Sequence, residues 1–263
     1  MTSSRARNDR KPHWKGRNHT PRSAADNDWV WGRHAVLAAL ANPRRQTPRR
    51  LVASPGVAKD LTERMSRMRP GVRIEVEDGA EIGRLLPQGA VHQGLAALID
   101  PLEPVELLDL AEPAEGLLVM LDQVTDPQNV GAILRSAAAF GAKGLILQDR
   151  RAPALSGALA KAAAGAADVV PVARVTNLSR ALEQLSEHGW RSVGLAGEAD
   201  QELRAALTRG PTVLVLGSEG EGLRRLVAEH CDAVARIPMR GGFESLNVSN
   251  AAAVALYEAS QLA

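Results

Sequence analysis

Leu214-Val215-Leu216-Gly217-Ser218-Glu219-Gly220-Glu221-Gly222-Leu223 reads as a buried strand running into a glycine-rich loop and then a helix. An uninterrupted apolar run bounded by glycine suits a strand covered on both faces. Glycines at 217, 220 and 222 let the backbone approach a ligand closely. The loop is not the Gly-x-Gly-x-x-Gly fingerprint, and no Gly-Lys-Ser/Thr follows it. Dinucleotide and nucleoside-triphosphate readings are therefore disfavoured. Glu219 and Glu221 would repel a bare phosphate, whereas a positively charged group such as a sulfonium would suit them. On its own the segment is equally a solvated loop with a helix-opening glutamate.

Outward from this loop the chain alternates. Strands are predicted at Leu117–Leu121, Gly144–Leu147, Val169–Val172, Ser192–Leu195, Val213–Leu216 and Val234–Ile237. Helices fit at Val130–Phe140, Leu155–Gly165, Leu178–Glu187, Glu202–Leu207, Leu223–His230 and Val248–Gln261. Such alternation implies an α/β domain, residues 117–263, with a mostly parallel sheet that binds ligands at the carboxyl ends of its strands. Towards the N-terminus, residues 101–116 carry Pro101, Pro104 and Pro113 among acids and read as a linker with room for one helical turn. Residues 28–100 read as a smaller α/β unit. It has helices at His34–Leu40 and Val57–Met68, strands at Leu51–Ala53 and Val72–Val76, and a closing apolar stretch at Val91–Ile99. Residues 1–27 lack periodicity and read as a disordered basic arm in which Trp14 could stack on a base.

The formal net charge is +2, but it is unevenly spread. Residues 1–25 hold seven Lys/Arg against one acid, and residues 101–263 hold fourteen against twenty. A polyanionic partner met by the N-terminal segments fits this split, as does a solubilising tail. Arg44, Arg45, Arg49 and Arg50 form a cluster suited to phosphate contact or to a solvated loop, with Arg33 nearby. No run of eighteen apolar residues exists and the N-terminus lacks an apolar leader segment, so neither a membrane span nor a secretory signal is expected. Cys231 is the single cysteine, which excludes an internal disulfide and a paired-cysteine zinc site. The histidines show no His-x-x-x-His spacing, so no metal is expected, and a cytoplasmic location fits.

Two further segments carry polar chemistry. Asp126-Pro127-Gln128-Asn129-Val130-Gly131-Ala132-Ile133-Leu134-Arg135 follows the Leu117–Leu121 strand and opens a helix. Asn129 there can cap or bind a ligand, and Arg135 can grip a phosphate with both arms of its guanidinium. Ile237-Pro238-Met239 and then Glu244-Ser245-Leu246-Asn247-Val248-Ser249-Asn250-Ala251 place hydroxyls and amides before an Ala-rich helix. Ser245, Asn247 and Ser249 suit hydrogen-bonded positioning and not metal binding. Each segment alone could be a capped helix.

In this order and spacing, the three segments resemble the signature motifs of the SpoU, or TrmH, RNA ribose 2′-O-methyltransferase family over roughly residues 117–262. Trp31-Gly32-Arg33-His34-Ala35-Val36 looks like the start of the small substrate-binding domain that many members carry. Ala196-Gly197-Glu198-Ala199-Asp200 and Glu229-His230-Cys231-Asp232 are similar to stretches of the branch that methylates a guanosine ribose in 23S ribosomal RNA. The resemblance implies an α/β-knot (SPOUT) methyltransferase domain with a trefoil knot formed after about Thr212. It implies S-adenosylmethionine held by backbone near Gly217, Ile237 and Leu246, and a homodimer. It also implies catalytic roles for Asn129, Arg135, Glu219, Ser245 and Asn247. Arg135 matches the arginine thought to act on the 2′-hydroxyl; because a guanidinium stays protonated, contact with phosphate and oxyanion is the firmer expectation. The competing readings are a tRNA-directed enzyme of the same family, an RNA binder without catalysis, and a nucleotide-dependent oxidoreductase. Intact motif side chains oppose the RNA binder, and the missing dinucleotide fingerprint opposes the oxidoreductase.

Overall fold

The computed structural model describes residues 28–150, 152–153, 158–239 and 245–262. The expected arm at 1–27, with Trp14, lies outside them, as do Glu244 and the predicted helix start at Leu155.

The small domain runs β1 (Trp29–Trp31), α1 (Arg33–Ala41), β2 (Arg50–Ala53), α2 (Pro55–Met68), β3 (Ile74–Val76), α3 (Gly79–Arg84) and β4 (Leu95–Leu98). Its sheet has the order β1-β4-β2-β3, antiparallel except for β2 with β3. Alternation divides the strands between two cores. Val30, Leu51 and Leu95 meet Val36, Leu40 and Leu61 on one face; Trp29, Trp31 and Val52 meet Ile82 on the other. Within the apolar stretch Val91–Ile99 the strand starts at Leu95, because Gln93 (φ 55°) and Gly94 (φ 73°) turn the chain first.

The larger domain runs α4 (Leu107–Ala111), β5 (Leu117–Leu121), α5 (Pro127–Ala139), β6 (Gly144–Gln148), α6 (Ala158–Ala162), a 3₁₀ turn (Ala166–Asp168), β7 (Val172–Val175), α7 (Leu178–Glu187), β8 (Arg191–Leu195), β9 (Gln201–Glu202), α8 (Leu203–Ala206), β10 (Thr212–Leu216), α9 (Arg225–Glu229), β11 (Ala233–Arg236) and α10 (Val248–Ser260). The seven strands are parallel, in the order β7-β6-β5-β10-β8-β11-β9. Every residue of β5 and β10 is buried, so these strands form the centre. The strand expected at Val169–Val172 begins at Val172, after the 3₁₀ turn. Residues 101–116 are woven into this domain: the Val105 N–H donates to the Val172 carbonyl (2.9 Å), and Leu107 and Leu110 pack beneath the sheet.

β10 inserts between β5 and β8, while β11 lies beyond β8. After β11 the next described helix is α10, which packs beside α5. This strand order agrees with the α/β domain that the resemblance implies. It stacks the β10 loop, the segment after β11 and the start of α5 at one end of the sheet.

Candidate active site

Local rules place the three polar segments. Asp126 caps α5 by accepting from the Gln128 N–H (3.1 Å), and Pro127 sits in the first turn, where a missing N–H costs nothing. Asn129 therefore stands on the first turn, at the carboxyl end of β5. Asn247 caps α10 through its Oδ1, which accepts from the Ser249 N–H (2.9 Å), leaving its Nδ2 free to reach outward. The β10 loop closes on itself, with Ser218 and Gly222 exchanging backbone hydrogen bonds of 3.1 and 3.0 Å. Gly217 is obligatory there: a Cβ would stand 2.0 Å from the Gly222 carbonyl carbon.

These placements bring three distant side chains together. Asn247 Nδ2 donates to Asn129 Oδ1 (3.1 Å) and to Glu219 Oε1, and Asn129 Nδ2 donates to the same Glu219 oxygen (3.3 Å). Both donors are neutral amides, so the exposed Glu219 carboxylate has no cationic partner in this cluster.

Beside the cluster is a cavity of about 300 Å³. Leu216, Ala235, Val248 and Ala251 give it apolar walls; Gly217, Ile237, Leu246 and Ser245 line it, and Glu198, Glu219 and Glu221 add acids. The size lies at the lower end of small-ligand pockets. Apolar walls, close backbone and surplus negative charge fit a ligand with a planar base and a cationic centre, such as S-adenosylmethionine, and disfavour a bare phosphate.

Sequence reasoning missed the device that fastens the loop. Asp122 directly follows β5, is fully buried, and accepts from the Arg224 backbone N–H (2.9 Å) and Nε (2.7 Å). Arg224 Nη2 reaches on to Gln148 Oε1 (3.1 Å). A buried carboxylate thus ties the end of the 217–223 segment to the central strand. The signal was an acid directly after an apolar strand, but its partner lies 102 residues away.

Arg135 is exposed on α5, and among the described residues it makes no hydrogen bond or ion pair. At about 100° per residue it points roughly 120° away from Asn129. On α10, which packs beside α5, Tyr257 is 52% and Val254 40% exposed, and Phe140 at the end of α5 meets the Tyr257 ring edge-on.

The arginines expected to meet phosphate are engaged within the protein. Arg45 is a correction: its side chain is 1% exposed and pairs with Asp168 at 2.7 Å, so it cannot contact RNA. Arg44 donates to the Glu103 carbonyl (2.9 Å), Arg49 pairs with Asp28 and Asp100, and Arg50 pairs with Glu75 and lies over Trp29. Arg33 stays half-exposed, 3.8 Å from Asp60. The run of positive charge is a local feature of the sequence; folding disperses it onto neighbouring acids and carbonyls. Cys231, packed under Gly194, has its thiol pushed up to about 12 by burial and by Asp232 and Asp122, which suits an inert side chain. Among the described residues no group of His, Cys, Asp and Glu could hold a metal, and no helix is long and apolar enough to cross a membrane.

Comparison with known proteins adds a second line. Residues 116–257 match the SpoU rRNA Methylase family, and residues 29–105 match the RNA 2′-O ribose methyltransferase substrate-binding family. A 23S rRNA (guanosine-2′-O-)-methyltransferase RlmB of Pseudomonas aeruginosa is 43% identical, covering 87% of this chain and 94% of its own. The RlmB of Pseudomonas syringae pv. tomato is 47% identical over 88% of this chain and 94% of its own. Among solved structures, the AdoMet-bound rRNA methyltransferase from Sinorhizobium meliloti superposes with a TM-score of 0.74 at 26% identity, covering 89% of this chain and 87% of that one.

Proposed function

The chain belongs to the SpoU rRNA Methylase family, and on that premise we propose that it transfers a methyl group from S-adenosylmethionine to the ribose 2′-hydroxyl of a guanosine in 23S ribosomal RNA. The observation that carries the reading is the convergence of Asn129, Glu219 and Asn247 at the rim of a cavity with apolar walls and surplus negative charge. The identity to RlmB proteins over nearly the whole chain supports the ribosomal substrate.

S-adenosylmethionine, when bound, supplies an electrophilic methyl group on a positively charged sulfur. Gly217, Ile237 and Leu246 would hold it, largely through backbone. Asn129 and Asn247 fix Glu219, so its negative charge is already oriented and costs no reorganisation during reaction. Ser245 offers a hydroxyl at the cavity wall for orienting the nucleotide. As the methyl moves from sulfur to the 2′-oxygen, the hydroxyl proton passes to water, and Arg135 holds the substrate phosphate and the oxygen on which negative charge develops.

The same reading makes the chain a homodimer. Tyr257 and Val254 on α10, with Phe140 at the end of α5, offer exposed apolar side chains on the same pair of helices, one of which carries Arg135. A second copy seated there would set Arg135 against the partner's pocket. A ribosomal substrate places the enzyme in the cytoplasm. Val254→Glu with Tyr257→Arg is expected to convert a dimer to monomers in sedimentation; an unchanged dimer would remove this face from consideration.

The function is tested by labelled methyl transfer to undermodified 23S ribosomal RNA and to tRNA, with Arg135→Ala in parallel. Label on a ribosomal guanosine ribose, falling by about 10²-fold or more in the variant, is the expected result. Label on tRNA alone would overturn the substrate, and cofactor binding with no label on either RNA would favour a non-catalytic RNA binder.

A further inference from the structure

The segment from Ala158 to Asp168 is gripped from two sides. On one side is α5, where Gly131 approaches so closely that a Cβ would stand 2.4 Å from the Ala162 Cβ. On the other is the small domain. Gly165 (φ 93°) lies against α1, where a Cβ would stand 2.7 Å from the Ala38 Cβ and 3.0 Å from the His34 carbonyl oxygen. Ala160 is buried in the small domain's core beside Val36 and Leu40. Lys161 Nζ donates to the Val91 carbonyl at 2.5 Å.

At the end of the segment sits a buried ionic joint. Asp168 accepts from Arg45 Nε (2.7 Å), Arg45 Nη2 (3.2 Å) and Asn42 Nδ2 (3.1 Å). Arg45 Nη1 also donates to the Asp100 carbonyl (2.7 Å), where the chain leaves the small domain. The pair's side chains are 1% and 2% exposed. An apolar contact alone would tolerate sliding; a buried fork of directional, charge-assisted bonds fixes one register.

We propose that this joint registers the small domain against α5, the helix bearing Asn129 and Arg135, with Asp168 and Arg45 as its positioning residues. The proposal rests on the methyltransferase reading. The small domain holds the RNA, the 158–168 segment transmits its position, and α5 receives it through the Gly131–Ala162 contact. Displacing a bound ribose by about 1 Å costs on the order of 10²-fold in rate, so a loosened joint would leave binding intact and impair transfer.

The test uses the full chain with Asp168→Asn and with the double variant Arg45→Met/Asp168→Leu. The double variant replaces the buried pair by apolar side chains, a change that such sites often accept without loss of stability. Cofactor affinity, affinity for a 23S RNA fragment, single-turnover transfer and the interdomain distance from small-angle scattering are measured on folded protein. Both affinities are expected within about twofold of wild type, with the single-turnover rate down about tenfold or more and a broadened interdomain distance. A rate within about twofold of wild type in the folded double variant would overturn the proposal. So would a rate loss matched by equal loss of cofactor binding or of folded fraction, since that marks a purely structural pair. If wild type methylates no RNA, the function reading fails instead; the scattering arm then decides the joint alone, and an unchanged distance distribution overturns it.

Discussion

Asp168 and Glu219 are each gripped by two nitrogen-bearing side chains from far along the sequence. Asp168 accepts from Arg45 and Asn42, while Glu219 accepts from Asn129 and Asn247. Asp168 lies at 2% exposure with a full positive charge against it. Glu219 is exposed, its two donors are neutral, and it faces a cavity. A buried carboxylate needs a counter-charge to be tolerable at all. A rim carboxylate can keep its charge in water and present it to a cation. Counting hydrogen bonds does not separate a joint from a site; charge balance and access do.

The largest effect expected from this contrast is on stability. Asp168→Ala strands a buried guanidinium and is expected to lower stability by about 3–5 kcal/mol, read from denaturant unfolding. A loss below about 1 kcal/mol would mean that the pair is replaceable by water. Glu219→Gln should reverse the pattern. Its unfolding is expected within about 0.5 kcal/mol of wild type, while methyl transfer falls about 10²-fold, equivalent to about 2.7 kcal/mol of barrier. Equal losses of stability in the two variants would erase the distinction between the regions.

Much of this contrast was hidden in the sequence. The alternation from Leu117 onward was legible because the central strands β5 and β10 are nearly continuous apolar runs, and α7 falls on its predicted bounds, Leu178–Glu187. β1 was not: three residues, all buried, show no period. α3 is six residues long and does not repeat its pattern enough to stand out, whereas α4 is the single turn for which residues 101–116 left room. The residues that meet in the candidate site were legible only through the order of the motifs, since Asn129 and Asn247 are 118 positions apart. The Arg45–Asp168 pair, separated by 123 positions, left no local trace, and Arg45 read as one more surface arginine.

Gly217→Ala separates the shape of the loop from the charge of Glu219. The new Cβ must displace Gly222 backbone, not a flexible side chain. A loss of about 1–3 kcal/mol in stability is expected, with cofactor affinity falling in calorimetry although Glu219 is intact. Wild-type affinity in this variant would show that the 217–222 loop does not form the cofactor wall.

Glu75 stands between the two extremes and yields the smallest effect. Its partner Arg50 is a cation, as at Asp168, yet both side chains are more than a third exposed. The hydrogen bond from Arg50 holds the Glu75 carboxyl below its ordinary value, against a smaller opposing pull from burial, with further help from the charges of Arg50 and Arg73. A carboxyl whose value is depressed on folding stabilises the fold above its unfolded value, near 4.3. That contribution is lost as pH falls through the lower folded value. Solvent screens the pair, so the expected size is about 0–1 kcal/mol. The difference in Tm between wild type and Glu75→Gln should be flat at neutral pH and close as the pH drops below about 4. A gap that widened on acidification would mean that the charged form is disfavoured at this position, and that a paired arginine alone does not make a stabilising carboxylate.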